Sequence, residues 1–144
     1  MKSDGYMLDT NIINRLIDGL WDISQLPTDA PCYVTHIQRD ELAKTQDAER
    51  RKQLLTKLEE IAPKMALTES MIEGISRVGE CRLSDGIQYE EILNELDKAK
   101  KRANNPQDAL IAETALKLGF TLVSADTTLI NVMTTHGGRT LTVK

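Results

Sequence analysis

The chain has 144 residues, enough for one domain with a sizeable core and too few for two ordinary ones, so a single unit over residues 1–144 is expected. Its 18 Lys and Arg against 22 Asp and Glu leave a net charge of −4, which argues against indiscriminate adhesion to nucleic acid or anionic membrane while leaving room for a local basic patch. No apolar run is long enough to span a bilayer and the first five residues contain no apolar leader core, so the default location is cytoplasmic; Cys32 and Cys81 have no motif spacing and indicate neither a disulfide framework nor a zinc knuckle.

Tyr6, Met7 and Leu8 form a short buried-strand candidate, followed at once by Asp9, Thr10 and Asn11. Asn11 is placed to cap the helical run Ile12 to Ile17. After Gly19 and a loop through Pro27, Cys32-Tyr33-Val34 reads as a second strand, with Cys32 in the core. Thr35 with Gln38 has the capping-box spacing and opens a helix. Leu54, Leu55, Leu58 and Ile61 continue the helical period up to Pro63, with a break near Thr45-Gln46, and residues 64–67 suggest a short third strand. Residues 71–78 then read as a helix, and 79–86, with the Ser84-Asp85-Gly86 turn signal, as a loop.

Tyr89 to Arg102 resumes helical spacing through Ile92, Leu93 and Leu96 and becomes strongly basic. Asn105-Pro106 marks a fresh helix start, with Asn105 as cap, and Gly119 is a sensible stop. Phe120 to Val123 is the fourth strand, Ser124-Ala125-Asp126 its exit, and Thr127 to Thr135 the last helix; a terminal strand, Thr140 to Val143, follows the Gly137-Gly138 break. The alternation of strand and helix predicts an α/β fold with a parallel sheet between helical layers.

Four acids, Asp9, Glu41, Asp108 and Asp126, fall just past a strand or in the first turns of a helix. In isolation Asp9, Glu41 and Asp126 have ordinary explanations as turn, solvated-helix and N-cap residues. Asp108 has one too, as an acid favoured in a helix's first turn, but that explains the acid and not its face: it shares a helical face with Ile111, Ala112 and Ala115, so it points along the apolar side. In a parallel sheet with a central first strand, the strand exits and the start of the helix before strand four converge. Carboxylates brought that close repel one another, and a divalent cation that prefers oxygen, Mg²⁺ or Mn²⁺, is the usual compensation. His36 and His136 are expected at the surface and offer no competing cluster.

With these residues the chain resembles the PIN-domain ribonucleases, the family that includes the VapC-like toxins of toxin–antitoxin pairs. The resemblance runs over nearly the whole chain, through Leu8-Asp9-Thr10-Asn11, Glu41, Asp108-Ala109-Leu110-Ile111-Ala112 and Leu122-Val123-Ser124-Ala125-Asp126. It implies a Rossmann-like α/β/α sandwich with strand order 3-2-1-4-5 and a metal-dependent endonuclease acting on RNA. Asp9, Glu41, Asp108 and Asp126 match the catalytic acids, with Asp9, Asp108 and Asp126 holding metal and Glu41 acting through water. Thr10, Asn11 and Ser124 match the polar supporting positions. The chain departs from the common pattern at Ser124, where Thr is frequent, and at Leu129-Ile130, where many relatives carry an acid and then Phe. The likeness further implies homodimers and a tight complex with a small antitoxin.

Substrate grip has to come from cations. Lys98, Lys100, Lys101 and Arg102, just upstream of Asp108, are the candidates for phosphate binding, whereas Arg50, Arg51, Lys52 and Lys57 read as a solvated helix face. Few aromatic residues are available for a base-stacking platform. Two other classes compete: a haloacid-dehalogenase-like phosphatase, which normally wants a second Asp where this chain has Asn11, and a protein-binding module of the same fold that no longer catalyses.

Overall fold

A computed structural model describes residues 5–61, 63–66 and 87–143. The helix expected over 71–78, the loop over 79–86, Leu67 and Cys81 lie outside the described residues.

Strand β1 (Tyr6–Leu8) lies at the centre of a five-stranded sheet. It is flanked by β2 (Cys32–Val34) and β4 (Thr121–Ser124), and β3 (Lys64–Met65) and β5 (Arg139–Thr142) form the edges. The order is 3-2-1-4-5 and every pairing is parallel. Such a sheet needs a crossover on each connection, and the helices supply it. Side chains alternate across it, so Met7 and Leu122 face one layer while Leu8 and Val123 face the other. On the first face lie α4 (Ile87–Ala99), α5 (Asn105–Leu118) and α6 (Thr127–Thr135), contributing Ile92, Leu96, Leu110, Ile111, Leu129 and Met133. The second face is covered by α1 (Thr10–Ile17) and α3 (Ala48–Ile61), through Ile12, Ile13, Leu54 and Leu58. Helix α2 (His36–Ala43) straddles the two, giving Ile37 to one cluster and Leu42 to the other. Burying each such side chain contributes about 1.5–3 kcal/mol, so the two layers rather than local propensity hold these short strands.

Local chemistry sets most boundaries. The capping box at Thr35 and Gln38 is present, and Gln38 also donates from Nε2 to the Leu8 carbonyl at 3.0 Å, tying α2 to the central strand. Asp47 accepts from the amides of Glu49 and Arg50 and starts α3, which accounts for the break expected near Thr45-Gln46. Gly119 closes α5 in the left-handed region at φ 75°, where a Cβ would be strained. A 3₁₀ turn at Ile23–Gln25, capped by Asp22, occupies what reads in the sequence as plain loop.

Two caps fall elsewhere than the sequence suggests. Helix α1 is capped by Asp9, whose carboxylate accepts from the Thr10 amide at 2.7 Å, and not by Asn11. Helix α5 begins at Asn105 itself, with Asn104 in the cap position and Pro106 inside the first turn. The cause is the same in both: the asparagine amide expected to cap locally is drawn into a longer-range bond, described below. The histidines also differ from expectation. His36 is buried at the start of α2, and His136 closes α6 with its Nε2 2.5 Å from Glu95 Oε2 on α4. Cys32 is half-buried against the second cluster rather than a full core residue. Among the described residues, no helix is long and apolar enough to cross a membrane.

Candidate active site

Because β1 and β4 are neighbours in register, Leu8 opposite Val123, their exits place Asp9 and Ser124 side by side. Ser124 donates from Oγ to Asp9 Oδ2 at 2.7 Å and accepts from the Asp126 amide at 3.0 Å. Asn11 bridges the same seam: Nδ2 donates to Asp9 Oδ2 at 3.0 Å and to Ser124 Oγ at 3.3 Å, while Oδ1 accepts from the Ala125 amide at 3.1 Å. This use of both ends of the Asn11 amide across the sheet explains why Asp9 caps α1.

Asp9, Thr10, Asn11, Asn14, Glu41, Asn104, Asp108 and Asp126 line one pocket of about 220 Å³ at this rim. Acids from the exits of β1 and β4, the body of α2 and the first turn of α5 therefore share a single cavity. Ser124 lies fully buried just behind it. Of the expected substrate-binding cations, Lys98, Lys100 and Lys101 are exposed around the α4–α5 connection. Arg102 instead turns inward, and its Nη1 donates to Asp126 Oδ2 at 2.8 Å. Arg50 is paired with Asp18 and Lys57 with Glu60, as a solvated helix face allows.

The carboxylates differ in what already occupies them. Asp9, 5% exposed, receives Thr10 on Oδ1 and Asn11 and Ser124 on Oδ2. Asp126 accepts on Oδ1 from the Thr128 and Leu129 amides as the α6 cap, and on Oδ2 from Arg102. Asp108, also 5% exposed, receives a long bond from Asn104 Nδ2 at 3.3 Å. Glu41 Oε1 is buried with no hydrogen-bond partner among the described residues.

The electrostatics follow from crowding and burial. Burial, then the charges of Asp9, Glu41 and Asp126, push the Asp108 carboxyl up to about 8, against the pull of Arg102. Asp9 is also raised, mainly by burial, although Ser124, Thr10 and Asn11 favour its charged form. Glu41 is raised by burial and by Asp9, with Thr10 and Lys44 opposing. Excess negative charge in an oxygen-lined pocket is a setting for a hydrated hard cation. Among the described residues no three carboxylate, imidazole or thiolate groups cluster closely enough to hold an ion by protein ligands alone. An ion that keeps several waters and takes one or two carboxylates, as Mg²⁺ commonly does, fits this donor set.

Asn14 and Asn104 are the pocket residues that the sequence reading missed. Asn14 lies one helical turn beyond Thr10, to whose carbonyl it donates at 3.3 Å, and Asn104 lies one turn before Asp108. In both cases an i, i+4 step from a suspected site residue was the available signal.

The strand order and layering are those expected of the PIN-domain fold, and they recur in solved structures. The chain superposes on VapBC-1 from nontypeable Haemophilus influenzae with a TM-score of 0.60 at 24% identity, covering 96% of this chain and 97% of that one. VapBC2 from Rickettsia felis, bound to a DNA fragment from their promoter, gives 0.59 at 21% identity over 96% and 98%. VapBC-5 from Mycobacterium tuberculosis, a member of the VapBC family of toxin-antitoxin systems, gives 0.60 at 15% over 97% and 99%. At these identities the likeness is one of fold. No protein-family model matches the sequence, and no curated protein matches it significantly.

Proposed function

We propose that this chain is a metal-dependent endoribonuclease, and that it is the toxin of a toxin–antitoxin pair. The observation that carries the reading is the convergence of Asp9, Glu41, Asp108 and Asp126, from four separate parts of the chain, on one pocket at the exit of the central strand. Ligands bind at this end of the strands in open α/β sheets. The fold shared with VapBC structures supports the biological half of the proposal.

Asp9 and Asp108 would hold Mg²⁺ or Mn²⁺, with Glu41 and Asp126 acting directly or through water. A bound ion supplies a water acidic enough to attack a phosphodiester and positive charge for the leaving oxygen. The protein's own part is orientation. Thr10, Asn11 and Ser124 fix the Asp9 carboxylate in one rotamer, and Asn104 steadies Asp108. Lys98, Lys100 and Lys101 offer exposed charge to an RNA backbone close to the pocket. A single-domain cytoplasmic protein that homodimerises and is masked by a small antitoxin completes the reading.

Asn11 speaks against a haloacid-dehalogenase-like phosphatase, since its amide braces the sheet where that chemistry wants an acid. The test is RNA cleavage with Mn²⁺ or Mg²⁺ and with EDTA, alongside a small phosphomonoester. Cleavage that EDTA abolishes is the expected result. Phosphate release from the monoester without RNA cleavage would favour the phosphatase; metal-induced stabilisation with neither activity would favour a non-catalytic binding module.

A further inference from the structure

The four acids of the pocket are not equivalent, and the difference lies in Arg102. A carboxylate offers about four lone-pair sites. Both sites of Asp126 Oδ1 are taken by the Thr128 and Leu129 amides, and Oδ2 carries the guanidinium of Arg102 at 2.8 Å. Asp9 is also well bonded, but only by neutral donors, and such bonds orient a metal-binding carboxylate without neutralising it. Asp108 and Glu41 are the least occupied. Among the described residues, Asp126 is thus the one acid of the four hydrogen-bonded to a cationic side chain.

The contact is built rather than incidental. Arg102 sits in the connection between α4 and α5, and the buried Asn105 braces that connection. Asn105 Nδ2 donates to the Lys100 carbonyl and to Asp97 Oδ1, each at 2.9 Å, and its backbone amide donates to the Arg102 carbonyl at 3.2 Å. Arg102 keeps its Nε buried with no hydrogen-bond partner among the described residues, a desolvation cost that its bond to Asp126 offsets. The Asp126 side chain is 16% exposed and that of Arg102 31%, so the pair is partly shielded from solvent.

We propose that Arg102 withholds Asp126 from the metal, so that the pocket takes a single, largely hydrated divalent ion on Asp9 and Asp108, with Glu41 reached through water, while Asp126 anchors Arg102 and caps α6. This rests on the metal-dependent reading above and goes further, to the number of ions and the residue that sets it. It also implies that neutralising position 102 opens a second site.

The experiment is titration with Mn²⁺ alone, counted by calorimetry and by the free-Mn²⁺ electron paramagnetic signal. The chains compared are wild type, Arg102→Gln, Arg102→Lys, the double variant Arg102→Gln with Asp126→Asn, and Asp108→Asn, each checked for cooperative unfolding in EDTA. Wild type and Arg102→Lys should bind one Mn²⁺ per chain, Arg102→Gln two, and the double variant one again; Asp108→Asn should weaken the first site at least about tenfold. Two ions in wild type, or one in a folded Arg102→Gln, overturns the assignment of Arg102 while leaving metal dependence standing. No binding by any of the chains overturns both. If Arg102→Gln does not fold, Asp126→Asn decides it: one Mn²⁺ bound as tightly as by wild type supports the assignment, and a site weakened at least about tenfold overturns it, because Asp126 would then be a ligand.

Discussion

The exits of β1 and β4 are built alike and serve differently. Each is a short parallel strand that ends in an acid capping the next helix, Asp9 for α1 and Asp126 for α6. The strands are hydrogen-bonded neighbours, and Ser124 contacts the residues at both exits. Yet Asp9 is surrounded by neutral donors and faces the other acids, whereas Asp126 meets a guanidinium from a distant connection. A local motif thus fixes where an acid stands, and a partner far away in sequence decides what it can do there. The sharpest way to break the comparison is catalytic. Asp9→Asn should lower metal-dependent RNA cleavage by about a thousandfold or more, a loss of roughly 4 kcal/mol in transition-state stabilisation. Asp126→Asn should lower it only about tenfold, as expected for a residue acting through others. Equal losses at the two exits would mean that both acids handle the reaction directly.

Asp108, which faces both exits, allows the electrostatic side of the comparison to be tested without substrate. Its carboxyl is raised from 3.8 to about 8 in the folded chain. Below the lower value both folded and unfolded chains hold the proton, so the group contributes nothing. Between the two values the folded chain holds a proton that the unfolded chain has released, and stability falls as pH rises. In EDTA the Tm of the wild type should therefore drop between about pH 5 and 8, while Asp108→Asn should flatten that slope and raise Tm near pH 7.5 by several degrees, on the order of 5 °C. Mn²⁺ should reverse the order by stabilising wild type more than the variant. A variant that melts below wild type in EDTA at neutral pH would show that burial and the neighbouring acids do not penalise the Asp108 charge as described.

The sequence shows the β1 exit better than the β4 exit, for a physical reason. Period-2 and period-3.6 patterns locate elements because each element must bury one face, so the strand at Tyr6–Leu8, the apolar face of α5 bearing Asp108, and the stops at Gly119 and Gly137 are all readable. What a polar side chain does at an element's end is not periodic. Asn11 and Asn105 both fit a local cap by rule, and both are drawn off by partners that only the folded chain supplies. Arg102 stands among lysines in the sequence and so reads, like them, as a cation offered to phosphate; only the turn braced by Asn105 aims it inward. His36 reads as surface for the same reason, lying in a first helical turn whose His36, Ile37 and Gln38 are all buried in the folded chain.

If Ser124 joins the two exits, its removal should be felt at both. Ser124→Ala deletes the donor to Asp9 Oδ2 and the acceptor for the amide of Asp126 and for Asn11 Nδ2, all in a fully buried position. The expected cost is about 2 kcal/mol in denaturant unfolding. Ser124→Thr, which keeps the hydroxyl, should restore most of it unless the added methyl strains the packing. A Ser124→Ala chain as stable as wild type would mean that the exits are coupled by the backbone ladder alone.

The smallest effect separates Arg102 from its neighbours. Lys100 and Lys101 are exposed beside it, and a double change to Ala should weaken RNA binding only a few-fold at low salt. On single strands each lost phosphate contact removes about 0.7 from the slope of log affinity against log salt, so the two changes together should flatten it by about 1.4. Arg102→Gln, by contrast, should leave that slope nearly unchanged, because its guanidinium already answers an internal carboxylate. If Arg102→Gln flattens the salt dependence as much as the lysine pair does, then Arg102 faces the backbone of the RNA, and the inward and outward halves of this basic stretch are one surface.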